Sequence, residues 1–157
     1  MKISKANQDD LGKILELQYL AYEQEAIRYN DFSIPPLKQT LKNLLKESED
    51  CIILKATKNG NIIGSVRGAI QDNTCKIGRL IVHPDFQRQG IGSQLLSDIE
   101  KHFSKVKTFE LFTGSDSDDN IRLYKKQGYA EFKRENLNDK IELVFLHKKN
   151  KMFDKNK

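Results

Sequence analysis

The chain has 157 residues and a net charge of +5, with 38% hydrophobic and 31% charged residues. This length and composition predict one soluble globular domain, and no apolar run approaches the ~20 residues that a membrane-spanning helix needs. Five lysines against one aspartate in residues 148–157 carry four of the five net charges. The rest of the chain is nearly neutral, so nucleic acid is not predicted as a partner.

Residues 1–5 lack the apolar core of a signal peptide, so we expect a cytoplasmic protein without a membrane partner. The two cysteines, Cys51 and Cys75, lie in apolar stretches without the spacing of a metal site or a redox motif. They are predicted to be buried free thiols. The three histidines are scattered along the chain, so no metal site is predicted.

In chain order, residues 2–6 predict a short strand, and Asn7 or Asp9 can cap the helix that follows. The apolar stripe of that helix begins at Leu11 and ends before Pro35-Pro36. A second helix is predicted next. Its apolar face would consist of Leu37, Leu41, Leu44 and Leu45.

Strands predicted at 51–57 and 62–70 flank Asn59-Gly60, which is a strong hairpin signal. Gly128 is placed as the C-cap of a later helix. The remaining predicted elements are strands at 75–82, 108–113, 129–133 and 141–146, and helices at 92–103 and 117–127. This order predicts a single mixed α/β domain over residues 1–147 and a basic tail at 148–157.

The most informative stretch is 80–93, where an apolar run stops at Pro84 and a polar loop leads to Gly90 and Gly92 at the start of a helix. The first amides of a helix have no internal acceptors and carry partial positive charge, so this turn predicts a phosphate site. The stretch lacks the Lys-Ser/Thr of a P-loop and the third glycine of a dinucleotide fingerprint.

Residues 87–92, Gln-Arg-Gln-Gly-Ile-Gly, instead match Gln/Arg-x-x-Gly-x-Gly/Ala. This resembles the acetyl-CoA pyrophosphate loop of the GNAT superfamily of N-acetyltransferases. Residues 120–129 resemble the second signature of that family, Asn…Leu-Tyr-x-Lys-x-Gly-Phe/Tyr. The family's asparagine often lies seven residues before the tyrosine, where this chain has Ser117, whereas Asn120 lies four before Tyr124. The sequence leaves open which of the two contacts the cofactor.

The resemblance implies a mixed, mostly antiparallel sheet of about seven strands with about four helices, and acetyl-CoA as cosubstrate. It implies that the pantetheine arm pairs with one strand, that the glycine loop holds the pyrophosphate, and that Tyr124 protonates the departing thiolate as general acid. A phenol with a pKa of ~10 is protonated at neutral pH and can donate this proton. The candidate cofactor-binding residues are Leu80, Ile81, Val82, Gln87, Arg88, Gln89, Gly90, Ile91, Gly92, Ser93, Asn120 and Tyr124.

The predicted reaction is acetyl transfer to the primary amine of a small molecule, by direct attack on the thioester. The alternatives are acetylation of a protein N-terminus or lysine, and a non-catalytic acyl-CoA-binding module. Water is the expected route for the amine's proton, and the candidate bases are Glu25, Asp31, His83 and Glu110.

The resemblance implies that residues 20–40 select the acceptor. Their acidic and aromatic side chains would suit a cationic amine such as a polyamine, or simply belong to an amphipathic helix. The resemblance also implies that the exposed last strands can pair, which would give a homodimer.

Overall fold

The computed structural model describes residues 1–155, which form one seven-stranded sheet with the order β1-β2-β3-β4-β5-β7-β6. The strands are β1 (Lys2–Lys5), β2 (Ile52–Lys58), β3 (Asn61–Gln71), β4 (Thr74–Val82), β5 (Thr108–Gly114), β6 (Ala130–Asn136) and β7 (Glu142–Lys149). The helices are α1 (Leu11–Tyr29), α2 (Pro35–Lys38), α3 (Leu41–Glu47), α4 (Ile91–Lys101), α5 (Asp118–Lys126) and α6 (Lys151–Lys155).

All neighbouring strands are antiparallel except β4 and β5, which run parallel. The predicted fold class is therefore confirmed. Two tight turns fix the register of the central strands. Asn59 and Gly60 both have positive φ (53° and 80°), as do Asp72 and Asn73 (51° and 63°), and this backbone matches the twist of a two-residue hairpin.

Helices cover both faces of the sheet. On one face α4 and α5 close the largest core, whose fully buried members include Leu95, Leu96 and Ile99. On the other face α1 and α3 pack on β2 through Leu11, Ile14, Leu15, Leu44 and Ile53. Cys75 is buried in the first core and Cys51 is half-buried at the second, and burial raises the pKa of their thiols to about 12 and about 11. Both cysteines are free.

The single second helix predicted from the leucine spacing is wrong, because the segment forms α2 and α3 with a break at Gln39 and Thr40. Gln39 is extended (φ −62°, ψ 133°), and the Thr40 hydroxyl caps α3 by accepting from the Asn43 amide at 3.1 Å. Leu41 is consequently exposed rather than part of an apolar face. Thr40 ends the first turn because its side chain satisfies a helix amide only from an extended backbone.

The break at Gln39 also serves a buried polar network around Arg67 of β3, which is 4% exposed. The Arg67 guanidinium donates to Gln18 of α1 at 2.5 Å, to Gln39 at 3.2 Å and to Glu47 of α3 at 3.0 Å. Gln18 in turn donates to the carbonyl oxygen of Pro36 at 2.8 Å. One buried cation therefore joins α1, the α2–α3 break and the sheet.

At the C-terminal end, β7 continues to Lys149, and Asn150 is 5% exposed. Residues 148–150, which the sequence assigns to the tail, thus lie in the folded domain. The position of the domain boundary stays a prediction. Within residues 1–155, no helix combines the length and the apolarity needed to cross a bilayer.

Replacing Arg67 with alanine should lower the free energy of unfolding by about 3 kcal/mol, since the buried Gln18 and Gln39 would lose a charged donor and the partly exposed Glu47 would lose its ion pair. Urea denaturation of the purified variant measures this loss. The matched control is Arg122→Ala, which removes an exposed i,i+3 pair with Asp119 and should cost only about 0.5 kcal/mol. Equal effects of the two variants would contradict a structural role for the network.

Candidate active site

The site begins where β4 and β5 separate. The two strands pair only at Thr74–Thr108, Cys75–Phe109 and Lys76–Glu110. Beyond these pairs β4 stays with β3 and β5 with β7, so within the described chain the β5-facing edge of β4 has no strand partner after Lys76. A cavity of about 880 Å³ occupies the gap. An extended ligand can bind the free edge as an added strand does.

A β-bulge on β4 accompanies this separation. Between the pairs Arg67–Gly78 and Ser65–Ile81, β4 has two residues, Arg79 and Leu80, opposite the single residue Val66 of β3. Arg79 adopts a left-handed backbone conformation with φ 49°. Bulges of this kind bend a strand and occur next to active sites, so the bulge helps to turn β4 away from β5.

The glycine loop lies at one end of the cavity. Arg88 (φ 63°) and Gly90 (φ 82°) are both left-handed, and Gly90 precedes α4 without a side-chain cap. The first helical hydrogen bond runs from the Gln94 amide to the Gly90 carbonyl, at 3.1 Å. The preceding amides of the first turn can therefore bind an anion, and a Cβ on Gly90 would meet no atom within 4 Å.

Gly92 has a different role, because a Cβ there would lie 3.2 Å from Leu123 of α5. The glycine lets the start of α4 approach α5. Arg88, Asp119, Arg122 and Lys126 supply the charged side chains at this end of the cavity. Arg122 pairs with Asp119 at 3.2 Å, so the other two cations are available to an anionic ligand.

Tyr124 of α5 lines the middle of the cavity and is 6% exposed. Burial raises the pKa of its hydroxyl, and the nearby Tyr22 and Glu25 raise it further. Its phenol is therefore protonated well above neutral pH, as a proton donor must be.

The far end of the cavity, which we call the acceptor side, is lined by α1 and the segment after it. Its polar residues include Tyr22, Gln24, Glu25, Arg28, Tyr29 and Arg79. Glu25 accepts from the Ser117 hydroxyl at 2.7 Å and from Arg28 at 3.0 Å. The Tyr29 hydroxyl accepts from the Asp116 amide at 2.8 Å, which fixes the end of α1 to the loop after β5.

Of the four candidate bases, the structure places only Glu25 in the cavity. Glu110 forms an ion pair with Lys76 where β4 and β5 are still joined. Asp31 accepts from Ser33 and Asn138, and the ring of His83 accepts from the Asp85 amide at 3.0 Å. None of these three lines the cavity.

The structure brings together eleven of the twelve predicted cofactor-binding residues around this cavity, all except Gln89. Asn120 lines the cavity and donates to Thr113 at 3.2 Å, whereas Ser117 is fully buried against Tyr29 and Glu25. Within residues 1–155, no group of three or more metal-ligating side chains lies close enough to hold a metal ion.

Sequence reasoning did not single out Arg79. The residues around Arg79 have the pattern of an ordinary strand. Glycine, asparagine or aspartate usually marks a left-handed position in a sequence, and arginine does not, so the conformation of Arg79 could not be predicted locally.

Comparison with known proteins assigns the chain to a family. Residues 12–129 match the model of the acetyltransferase (GNAT) family. The chain belongs to this family. The prediction made from the two sequence motifs is therefore confirmed.

A relative in Bacillus subtilis, the UPF0157 protein YqkA, is 30% identical over 119 residues, which are 76% of this chain. The chain spans about a third (34%) of the length of YqkA.

Two solved structures share the fold. The ribosomal-protein-S18-alanine N-acetyltransferase of Escherichia coli superposes with a TM-score of 0.78 at 18% identity, covering 95% of this chain and 93% of that one. The PaiA N-acetyltransferase of Thermoplasma acidophilum, solved in complex with coenzyme A, gives a TM-score of 0.76 at 22% identity, covering 94% and 98%.

Gly114→Ala should destabilise this GNAT domain by about 1–3 kcal/mol, since a Cβ there would overlap the Tyr29 hydroxyl and lie 2.6 Å from its Cζ. Thermal or urea unfolding measures the loss. The control is Gly12→Ala in α1, where a Cβ meets nothing within 4 Å, and which should stabilise by about 0.5–1 kcal/mol. A neutral Gly114→Ala would mean that Tyr29 does not hold α1 against β5.

Proposed function

We propose that the protein transfers the acetyl group of acetyl-CoA to the primary amine of a small molecule. One observation carries the proposal: a single cavity contains the free edge of β4, the uncapped start of α4 and the protonated hydroxyl of Tyr124. The strand edge suits the pantetheine arm, the helix start suits the pyrophosphate and the phenol suits the sulfur.

In the proposed complex, Leu80, Ile81 and Val82 hold the pantetheine through backbone groups, and the loop and first turn at 87–93 hold the phosphates. Arg88 and Lys126 add positive charge at that end of the cavity. Asn120, which Thr113 orients, contacts the cofactor from α5.

The amine nitrogen attacks the thioester carbonyl carbon, a C–N bond forms and the C–S bond breaks. The departing thiolate takes the proton of the Tyr124 hydroxyl, which recovers a proton from solvent. The attacking nitrogen passes its extra proton through water to a carboxylate. Glu25 is the carboxylate that we propose receives this proton, because it is the only one of the four candidate bases that lines the cavity.

Acetylation of a protein N-terminus is the second candidate, favoured by the fold shared with the S18-alanine N-acetyltransferase. Thiol release from acetyl-CoA with a panel of small amines and of peptides distinguishes the two. Release with peptides alone would favour the protein acceptor. Tight CoA binding without release from any amine would favour the non-catalytic module.

Tyr124→Phe should lower kcat roughly 100-fold and leave the affinity for CoA unchanged, because the change removes the proton donor and keeps the ring. The steady-state rate of thiol release gives kcat, and calorimetry gives the affinity for CoA. Since the pKa of Tyr124 is raised, the wild-type rate should show no loss from ionisation of this phenol up to about pH 10.

The matched control is Tyr129→Phe, which also removes a buried hydroxyl close to Tyr124, at a centroid distance of 6.3 Å. Tyr129 donates to Glu100 at 2.7 Å and does not line the cavity, so turnover should persist. Equal kcat in Tyr124→Phe and the wild type would show that Tyr124 is not the general acid.

Gly90→Asp should weaken CoA binding roughly tenfold or more, because a carboxylate would enter the anion site at the start of α4. The control is Gly60→Asp in the β2–β3 turn. Both glycines have φ near 80° and no atom within 4 Å of a built Cβ, so the backbone strain is the same. Retained affinity in Gly90→Asp would refute the assignment of the loop.

A further inference from the structure

We propose that the acceptor carries a carboxylate as well as its amine, and that Arg79 binds this carboxylate. The inference rests on the proposed function and specifies its acceptor.

Arg79 is the unpaired cation of the acceptor side. Arg28 is already paired with Glu25 at 3.0 Å, and Ser117 donates to the same carboxylate. In contrast, no carboxylate of residues 1–153 lies within ion-pair distance of the Arg79 guanidinium. The acceptor side thus has one positive charge left over once Glu25 and Arg28 neutralise each other.

The guanidinium is also poorly solvated. Its Nε atom is buried and has no hydrogen-bond partner within the described chain, and its Cζ lies over the ring of Tyr22 at 5.9 Å from the centroid. Apart from its interaction with the Tyr22 hydroxyl, the guanidinium keeps donors that can bind a carboxylate with two parallel hydrogen bonds, the geometry that a planar fork prefers.

Nearby charges reinforce this preference. Arg67 and Gln39 both donate to the carboxylate of Glu47, and the charges of Arg67 and Arg79 lower the pKa of that carboxylate, so one carboxylate faces two cations. Burial raises the pKa of the Tyr22 hydroxyl, whereas Arg79, which interacts with that hydroxyl, and Arg67 act to lower it. A ligand carboxylate would neutralise the excess charge there.

The bulge explains how Arg79 reaches the acceptor side. Cys75 and Ile77 of β4 belong to the core under α4, and Leu80 and Val82 pack against the same core. The extra residue breaks the alternation, so Arg79 lies over α1 instead of following Ile77 into the core. A left-handed conformation is strained for a residue with a side chain and unstrained for glycine, so an arginine at φ 49° is consistent with a use for its guanidinium.

This charge balance favours the amphipathic-helix interpretation of residues 20–40 over an acidic pocket for a polyamine. Glu23 is exposed, Asp31 lies outside the cavity and Glu25 is paired, so the acidic residues of 20–40 do not give the cavity a net negative charge. An amino acid places its amine at the thioester and its carboxylate on Arg79.

The test compares matched acceptors, namely amino acids with one to four carbons between amine and carboxylate, and the carboxamide of each. The proposal predicts that kcat/KM for the best acid exceeds that for its amide roughly 10- to 100-fold in the wild type. Arg79→Gln should remove this preference by lowering kcat/KM for the acid alone. Arg134→Gln, on β6 outside the cavity, removes the same charge and should preserve the preference.

Arg79→Gly is the second variant, because glycine adopts φ 49° freely and the fold is retained. It should lose the preference with an unfolding midpoint close to that of the wild type. Equal or better turnover of the amides by the wild type would overturn the proposal while leaving the acetyltransferase function intact. Equal losses for acids and amides in both variants would also overturn it, since Arg79 would then act on the thioester.

A binding measurement separates this proposal from the proposed function. CoA whose sulfur is joined through an acetyl bridge to the nitrogen of such an amino acid, or of its amide, is titrated calorimetrically into the wild type and Arg79→Gly. Tighter binding of the acid in the wild type alone supports the carboxylate site. Equal binding of both compounds overturns it. If neither compound binds and CoA itself does not bind, the proposed function is overturned.

Discussion

The separation of β4 from β5 is the constraint on which the site depends. Three residue pairs hold these strands side by side, and beyond them each strand has a different neighbour. A parallel pair that opens in this way exposes backbone groups in the middle of a sheet rather than at its rim. Hydrogen bonds are stronger in this interior position, because less water competes for the backbone groups. Around that opening the chain brings an anion site from α4, a phenol from α5 and a cation from the bulge.

The two ends of the cavity differ in whether backbone groups or side chains form them. The α4 end consists of backbone amides and glycines, whose geometry follows directly from the helix start. The acceptor side consists of side chains fixed by long-range polar contacts, such as Glu25 to Ser117 and Tyr29 to the loop after β5. The first kind of site suits a cosubstrate that does not vary, and the second can change its acceptor through a few substitutions.

This difference explains what the sequence could predict. The strands, the hairpin turns and the glycine loop were predictable because local patterns determine them, as the Asn59-Gly60 turn illustrates. Tyr124 was predictable because its signature is contiguous. The α2–α3 break was missed because Gln39 is held by residues 21 and 28 positions away. Arg79 was missed because a bulge depends on the pairing of two strands. The domain boundary and the homodimer stay predictions.

Asn150 shows how far the fold depends on its last residues. Its amide donates to the carbonyls of Phe103, Ser104 and Val106 at 3.2, 3.2 and 2.8 Å, and its carbonyl accepts from the Met152 amide at 3.0 Å. This one side chain holds the turn that leads from α4 into β5, the strand on one side of the opening. A truncation that removes the chain from residue 148 onward would therefore remove the hydrogen bonds that Asn150 donates to this turn. Expression vectors for this domain should retain the chain beyond Met152.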